Sequence, residues 1–303
     1  MRILVTGAAG FIGSNLTLEL QKRFPDAEIL VLDNYLTGAD ENLREFKGTV
    51  LKGAVEDRDF VKSISGEFDY IFHQAAITDT TVTDNKRMTD VNVGGFKNIL
   101  DIASPGRTKV IYASSAGVYG AGPAPMKETQ ELSPLNAYAS SKVKMDEISP
   151  AEAFAKKIKI IGLRYFNVYG PREARKGSSS SMIFQLAKQM KAGKAPRIFR
   201  YGEQKRDHIY VKDVVEANIK AMDAAASCVV NVGTGAATAF NRVIEILNKV
   251  LNTDFKPEYF DNPYDFYQNN TQADTSDAEK LIGFKARYSI EKGIEDYIKN
   301  YLA

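Results

Sequence analysis

Short apolar runs alternate with longer stretches of helical spacing along the first half of the chain. The runs predict buried strands at Arg2–Thr6, Glu28–Leu32, Tyr70–Phe72, Lys109–Tyr112 and Lys159–Leu163. Between the third and fourth runs, apolar residues recur at the spacing of one helix face: Phe96, Ile99, Leu100 and Ile102. Strands that alternate with helices in this way predict an α/β fold, a Rossmann-type doubly wound parallel sheet covered on both faces.

The pattern changes after Phe166. A polar segment rich in Gly, Ser, Arg and Lys runs from Gly170 to Ser181, and a helical pattern follows at Met182–Met190. Further predicted elements are helices near Val211–Met222 and Asn241–Leu251, a strand at Val229–Val232 and two helices within Asp274–Ala303. We therefore expect a dinucleotide-binding Rossmann domain of residues 1–166 with parts of 205–235. Residues 167–303 should form a smaller, discontinuous and interleaved α/β substrate lobe.

Composition narrows the class of protein. The 303 residues are 44% apolar, enough for a sizeable core, and 40 Lys and Arg nearly balance 38 Asp and Glu, which argues against nucleic-acid binding. No apolar stretch reaches the roughly 18 residues of a membrane span, and the first residues lack a signal-peptide pattern. His73, His208 and the lone Cys228 have no metal-ligand spacing. We expect a cytoplasmic protein with no metal and with neither a membrane nor a nucleic-acid partner.

The first predicted strand leads into a glycine-rich loop, G-A-A-G-F-I-G, which contains Gly7, Gly10 and Gly13. Glycine is needed where the backbone turns tightly or approaches a pyrophosphate, and the N–H groups that begin the next helix can bind phosphate. An acidic residue, Asp33, follows the second predicted strand, where ribose hydroxyls would be bound. The loop therefore predicts a dinucleotide site.

The glycine spacing G-x-x-G-x-x-G resembles that of the extended short-chain dehydrogenase/reductases, which act on sugar nucleotides. The resemblance implies that a nicotinamide cofactor contacts the following residues: Gly7, Gly10, Phe11, Ile12, Gly13, Asp33, Asn34, Val55, Gln74, Ala75, Ala76, Asn92, Tyr138, Lys142, Val168 and Lys176. It favours NADP. The Asp33 carboxylate, however, would repel a 2′-phosphate, and the loop Leu36–Gly38 carries no lysine to hold one. Lys52 and Arg58 are the only local candidates for that role. NAD and NADP therefore both stay open.

Tyr138 and Lys142 form the motif Y-A-S-S-K, whose spacing would put both side chains on one face of a helix. A neighbouring ammonium and a positive nicotinamide would lower the pKa of the tyrosine from its ordinary value near 10. Such a base takes the hydroxyl proton as hydride leaves an alcohol. Upstream, Ser115 in Y-A-S-S-A-G-V-Y-G matches the serine that hydrogen-bonds the reacting oxygen in the extended short-chain family. We predict that these three residues are catalytic.

The segment R-Y-F-N-V-Y-G-P-R-E-A-R-K-G-S, from Arg164 to Ser178, closely resembles the ADP-L-glycero-D-manno-heptose 6-epimerases. So do K-R-D-H-I-Y-V at Lys205–Val211 and T-Q-A-D at Thr271–Asp274, and the match extends over essentially the whole chain. The resemblance implies that the enzyme interconverts ADP-D-glycero-D-manno-heptose and ADP-L-glycero-D-manno-heptose through a ketone at C6. It also implies a second acid–base group at Lys176 and self-association into a homo-oligomer.

The same resemblance implies which residues bind the nucleotide-sugar substrate. They are Ser115, Asn167, Ser178, Gln185, Phe199, Arg200, Tyr201, Gly202, Arg206 and Tyr267. Arg206 suits a diphosphate, because a guanidinium makes bidentate contacts with phosphate oxygens. Gln185 stands where the best-known members of the family have a histidine, so the selectivity for sugar or base at that position stays open.

Other functions fit part of this pattern. A UDP-hexose 4-epimerase would share the cofactor loop and the catalytic serine, tyrosine and lysine, but it would not need Lys176. A 4,6-dehydratase would carry an acidic pair where this chain has Ala116 and Gly117. A non-catalytic NAD(P)-sensing protein on the same fold would be expected to lose the tyrosine or the lysine, and both are present.

Overall fold

A computed structural model describes residues 1–64, 66–79, 84–261 and 268–302, with Ser178 lacking a described side chain. Its strands are β1 (Arg2–Thr6), β2 (Glu28–Asp33), β3 (Thr49–Lys52), β4 (Tyr70–His73), β5 (Lys109–Ser115), β6 (Lys159–Tyr165), β7 (Asn167–Tyr169), β8 (Arg197–Phe199), β9 (Lys205–Tyr210), β10 (Cys228–Val232), β11 (Ala237–Ala239) and β12 (Glu258–Phe260). Its α-helices are α1 (Phe11–Arg23), α2 (Arg58–Ser63), α3 (Asn85–Thr89), α4 (Gly95–Asp101), α5 (Ala137–Lys156), α6 (Met182–Lys191), α7 (Val211–Ala221), α8 (Phe240–Leu251), α9 (Ser276–Ile282) and α10 (Ile290–Tyr301). Short 3₁₀ segments lie at Asp40–Leu43, Ala116–Tyr119 and Ala174–Ser179, and a π-helical turn, Asp90–Gly94, joins α3 to α4.

Parallel strands form the main sheet, in the order β10-β6-β5-β4-β1-β2-β3. The chain builds the sheet outward from β1 to β3 and then returns to place β4 on the other side of β1. This reversal opens a crevice at the carboxyl ends of β1 and β4, where doubly wound sheets bind their ligands. The Rossmann-type fold predicted from the sequence is confirmed.

Apolar side chains cover both faces of the main sheet. Successive residues of a strand point to opposite faces, so Val5 belongs to one core and Leu4 to the other. The Val5 core includes residues of α1, α7 and α9, whereas the Leu4 core includes residues of α2, α4 and α5. Helices on both faces explain why the strand sequences are almost continuously apolar.

Tertiary pairing lengthens four of the predicted strands towards the site: β2 and β4 by one residue each, and β5 and β6 by more. β5 continues from Tyr112 to Ser115, and β6 continues from Leu163 to Tyr165. The added residues pair with one another, with Ser115 opposite Tyr165. Serine and alanine give no β-branched signal, so the apolar pattern ended too early.

The second half of the chain contributes to the main sheet as well as to two smaller sheets. α7 packs against α1, and β10 pairs with β6. Two small sheets, β11-β9-β7 and β12-β8, share a separate core with α6, α8 and α10. The division of the chain into domains at residue 166 stays a prediction.

Candidate functional site

A cavity of about 1200 Å³ opens at the carboxyl ends of the main strands. It exceeds the roughly 300–1,000 Å³ of ordinary small-molecule pockets, so it has room for a dinucleotide and a second ligand. Most of the predicted site residues line it: Gly7, Gly10, Phe11, Ile12, Gly13, Asp33, Asn34, Val55, Gln74, Ala75, Ala76, Ser115, Tyr138, Lys142, Asn167, Val168, Lys176, Gln185, Phe199 and Arg206.

Asn92 lies behind the cavity lining. Its Oδ1 accepts a 2.8 Å hydrogen bond from the N–H of Ile77, and its Nδ2 donates to Ser141 Oγ at 2.9 Å. Ile77 belongs to the lining and Ser141 to α5. Asn92 therefore ties the loop after β4 to α5, the helix that carries Tyr138 and Lys142.

The segment after β8 turns away from the cavity. Arg200 forms an ion pair with Asp261 at 3.3 Å, and Tyr201 is 65% exposed. The N–H of Gly202 bonds to the Phe199 carbonyl at 2.8 Å, which closes the turn. Phe199 lines the cavity, whereas the three residues that follow it do not. The side chain of Ser178 and all of Tyr267 lie outside the described residues.

Steric contacts require glycine at two positions of the loop after β1. Gly7 has a φ of +67°, and a Cβ there would lie 2.6 Å from the Ala75 nitrogen. A Cβ on Gly13 would lie 2.0 Å from the Gly7 carbonyl oxygen. α1 begins directly after Gly10, which has no side chain to cap the first N–H groups. These N–H groups and the Cβ-free backbone fit a dinucleotide pyrophosphate.

Asp33 connects the end of β2 to this loop. Its Oδ2 accepts a 2.8 Å hydrogen bond from the Ala9 N–H, and its Oδ1 accepts one of 2.7 Å from the Tyr35 N–H. Burial raises the pKa of Asp33, and the backbone donors oppose that effect. The carboxylate is thereby held in a fixed orientation at the cavity wall.

Tyr138 and Lys142 stand one turn apart near the start of α5. Asn136 caps this helix, since its Oδ1 accepts a 2.8 Å hydrogen bond from the Ala139 N–H. Lys142 Nζ donates to the Ala113 carbonyl at 2.7 Å and lies 5.7 Å from the centroid of the Tyr138 ring. The helix is thus tied to β5, the strand that ends at Ser115.

Burial dominates the electrostatics of this pair. It raises the pKa of Tyr138, against a hydrogen bond with Ser115, and lowers the pKa of Lys142 to about 8, against the nearby Asp146 carboxylate. The sequence predicted a lowered pKa for Tyr138, and the protein groups alone do not produce it. The positive charge of a bound nicotinamide is the remaining contribution that would lower this pKa.

Lys176 lies on the 3₁₀ segment Ala174–Ser179, with Nζ 5.8 Å from the centroid of the Phe11 ring. Burial lowers its pKa, and Glu173 opposes that effect. Glu173 is fully buried and was not among the predicted site residues, although it lies in the G-P-R-E motif. Its charge therefore acts on a lysine that shares the cavity with Tyr138.

The small sheets bring further aromatic and cationic groups to the cavity. The rings of Phe199 and Phe260 meet edge-on with centroids 4.9 Å apart. Arg206 is 7% exposed, and its guanidinium carbon lies 6.0 Å from the Phe240 ring centroid. Aromatic faces stack on bases and a guanidinium binds phosphate oxygens, so this part suits a nucleotide. Phe260 and His208, on short strands, and Phe240, at the first position of α8, were missed, because single residues give no local pattern.

A second missed group orients Gln74. Tyr165 OH donates to Gln74 Oε1 at 3.1 Å, and Gln74 Nε2 donates to Asn218 Oδ1 at 3.0 Å. Asn218 Nδ2 closes the triangle by donating to the Tyr165 hydroxyl at 2.8 Å. The three residues come from β6, from the loop after β4 and from α7. No local sequence signal connects them.

The described ranges contain neither a metal site nor a membrane-spanning helix. No group of three or more His, Cys, Asp and Glu side chains there could hold a metal ion. None of the helices described is both long enough and apolar enough to cross a membrane.

Comparison with known proteins relates the whole chain to sugar-nucleotide enzymes. The model of the NAD dependent epimerase/dehydratase family matches residues 3–233. The ADP-L-glycero-D-manno-heptose-6-epimerase of Helicobacter pylori is 40% identical, covering 98% of this chain and 94% of that one with a TM-score of 0.90. The resemblance read from the sequence is thereby confirmed.

Other solved structures share the fold at lower identity. The UDP-glucose 4-epimerase of Thermotoga maritima is 30% identical over 99% of this chain and 98% of that one, with a TM-score of 0.91. A mutant UDP-glucuronic acid 4-epimerase from Bacillus cereus, in complex with NAD, is 27% identical over 99% of both chains, with a TM-score of 0.88.

Proposed function

We propose that this chain, which belongs to the NAD dependent epimerase/dehydratase family, interconverts ADP-D-glycero-D-manno-heptose and ADP-L-glycero-D-manno-heptose by way of a ketone at C6. The observation that carries the proposal is the presence of both Tyr138 and Lys176 in the lining of one cavity. The 40% identity to the Helicobacter pylori enzyme of that name supports the choice of substrate.

Inversion of an alcohol carbon needs a proton acceptor for each of two substrate orientations. In one orientation Tyr138 takes the hydroxyl proton, while the Lys142 ammonium stabilises the phenolate. In the other orientation the Lys176 ammonium donates a proton to the carbonyl oxygen as the ketone is reduced. In the reverse direction Lys176, whose lowered pKa makes its neutral amine available, takes the hydroxyl proton and Tyr138 donates one. A nicotinamide cofactor, which the loop after β1 and Asp33 would hold, would supply the acceptor and donor for the hydride of C6. Arg206 and the aromatic residues hold the nucleotide while the keto-sugar turns.

We also infer that the cofactor is NAD. The Asp33 carboxylate lines the cavity where the adenine ribose would lie. Asp40 hydrogen-bonds the nearby Tyr35, and Glu41 neutralises Arg175 in an ion pair of 3.0 Å. A 2′-phosphate would meet these negative charges, and the nearest opposing cation is Lys52, which pairs with Asp33 in the sheet and has its Nζ 5.6 Å from the centroid of the Tyr35 ring. Mass spectrometry of the nucleotide released by denaturing the purified protein should show NAD, and NADP would contradict the inference.

The epimerase activity is tested by incubating the purified protein with each ADP-heptose epimer and no added cofactor. Chromatography should show the same mixture of the two epimers, whichever epimer is supplied at the start. Conversion of UDP-glucose without conversion of either heptose would instead assign a UDP-hexose 4-epimerase.

A substitution of Lys176 tests whether this lysine is the second acid–base group. Lys176→Met should reduce epimerisation by roughly 10²–10⁴-fold, the range for loss of a general base, while the cofactor stays bound. Lys188→Met, at an exposed position of α6 outside the lining, is the matched control. Unchanged turnover in Lys176→Met would remove this lysine from the mechanism.

A further inference from the structure

One side chain of α1, Asn15, joins this helix to the start of the segment that carries Lys176. Its Nδ2 donates to the Phe11 carbonyl at 2.8 Å and to the Pro171 carbonyl at 2.9 Å. Its Oδ1 accepts a 3.0 Å hydrogen bond from Nη1 of Arg172. A side-chain amide has two N–H donors and one acceptor oxygen, so these bonds use both N–H groups and the oxygen.

The position of Asn15 inside a helix makes these contacts informative. Asparagine is less favourable than alanine in a helix interior, because its side chain competes for backbone hydrogen bonds. Its two partners outside α1 lie 156 and 157 residues further along the chain. The amide therefore serves the contact between α1 and the distant segment, and α1 alone gives no reason for it.

The segment has an unusual backbone conformation where Asn15 meets it. Arg172 has a φ of +73°, in the left-handed region that residues with a side chain rarely adopt. Such a conformation persists where the surrounding contacts determine it. The guanidinium of Arg172 also lies 4.0 Å from the exposed Glu45 carboxylate, a longer contact than the one to Asn15. The bond to Asn15 is therefore the closer of the two that hold Arg172 in place.

Asn15 lies next to the cavity and is not part of its lining, whereas Phe11, Arg172 and Lys176 all line it. Lys176 Nζ lies 5.8 Å from the centroid of the Phe11 ring, and the Phe11 carbonyl accepts one of the bonds of Asn15. The segment thus meets α1 at two places, once at each of these two α1 residues. Two contacts fix the distance between Lys176 and the first turn of α1.

We propose that Asn15 is a positioning residue that holds Lys176 where its proton transfer requires it, an assignment that rests on the role of Lys176 in the proposed function. Asn15 acts through the Pro171 carbonyl and the Arg172 side chain, and it contacts neither cofactor nor substrate. Loss of its amide should loosen the segment and slow the reaction only through Lys176.

Hydrogen–deuterium exchange of the cofactor-loaded protein tests the contact itself. In Asn15→Ala, peptides that cover residues 171–181 should exchange about two- to tenfold faster than in the wild type, as expected when hydrogen bonds between two elements are lost. Gln21→Ala is the matched control. It removes another amide of α1, one that donates to the Glu45 carbonyl and accepts from the Lys47 N–H, and exchange in 171–181 should not change. Unchanged exchange in Asn15→Ala would overturn the proposal.

Epimerisation kinetics test whether the effect passes through Lys176. Asn15→Ala should lower kcat for ADP-heptose by about tenfold or more, because a small displacement of a catalytic group costs a large factor in rate, and KM should stay within about twofold. In a Lys176→Met background the same substitution should change kcat by less than about twofold. Equal losses in the two backgrounds would show that Asn15 is a structural residue and would overturn the assignment.

Two further measurements separate this role from others. Alanine favours a helix, so Asn15→Ala should fold and keep its cofactor, and loss of the cofactor would assign Asn15 to the glycine-rich loop instead. Asn15→Ser, whose hydroxyl can donate to the Phe11 carbonyl and is too short to reach Pro171, should show the same losses as Asn15→Ala. Faster exchange in a protein whose wild type converts neither heptose would retain the contact and refute the proposed function.

Discussion

The backbone N–H of Ser181 donates a 2.6 Å hydrogen bond to Oε2 of Glu173. The other carboxylate oxygen accepts from the Gly170 N–H at 2.9 Å and from the Ser181 hydroxyl at 3.0 Å. One buried side chain therefore fastens both ends of the segment that carries Lys176. The position of Lys176 therefore depends on a residue that need not touch the substrate.

Glu173→Gln should disturb this fastening, because an amide offers one acceptor oxygen where the carboxylate offers two. We expect turnover to fall by about tenfold or more and the free energy of unfolding to fall by about 1–3 kcal/mol, the cost of buried groups left without partners. Enzyme assays and urea unfolding measure the two effects. The exposed Glu131→Gln should stay within about 0.5 kcal/mol of wild type. Full activity in Glu173→Gln would show that the segment needs no carboxylate.

Lys142→Met should make the protein more stable and inactive. The folded state lowers the pKa of Lys142 from 10.5 to about 8 by burial, so the charged lysine destabilises the fold at pH 7. Its removal should raise the free energy of unfolding by about 1–3 kcal/mol, after the lost bond to the Ala113 carbonyl is subtracted.

The stability gained in Lys142→Met should depend on pH. Between pH 8 and 10.5 the unfolded wild type keeps a proton that the folded state has released, so the wild type gains stability as pH rises. The advantage of Lys142→Met should therefore shrink over that range. Urea unfolding at pH 7, 9 and 10.5 measures it, and a constant difference would contradict the lowered pKa.

Acid should destabilise the protein through its only two histidines. Burial lowers the pKa values of His73 and His208 to about 3, whereas an unfolded histidine titrates near 6.5. Between those values the unfolded state binds protons that the folded state does not, so stability falls as pH falls. Between pH 7 and pH 5 the free energy of unfolding of His208→Phe should fall by about 2 kcal/mol less than that of the wild type. Equal losses in urea unfolding would mean that His208 is charged in the fold.

Removal of one charge from a buried ion pair should lower the free energy of unfolding. Arg164 Nε lies 2.9 Å from Asp146 Oδ2, and the two side chains are 6% and 4% exposed. Asp146→Asn should lower the free energy of unfolding by about 3–5 kcal/mol, because the guanidinium stays buried without a countercharge. On the same helix, Glu147 pairs with Lys144 in water at 3.2 Å, so Glu147→Gln should cost about 0–1 kcal/mol. Similar losses in the two variants would contradict this account.

Local patterns in the sequence were sufficient to predict the fold and the positions of the main motifs. Strand–helix alternation predicted the parallel sheet, and the glycine spacing predicted a loop in which Gly7 and Gly13 have no room for a Cβ. Both are properties of short stretches of chain, so a pattern shows them. The spacing of Tyr138 and Lys142 predicted one helix face, and α5 provides it.

The sequence by itself determined the fold class, the glycine-rich loop after β1 and the helix that carries Tyr138 and Lys142, because backbone sterics and side-chain periodicity act within a few residues. Only the tertiary structure decided that Glu173 fastens the Lys176 segment, that Arg200–Gly202 turn away from the cavity and that the ring nitrogens of His208 find no hydrogen-bond partner among the described residues. It also decided the direction of every pKa shift in the site. Burial and hydrogen-bond partners come from segments far apart along the chain, and no local pattern records which of them will meet.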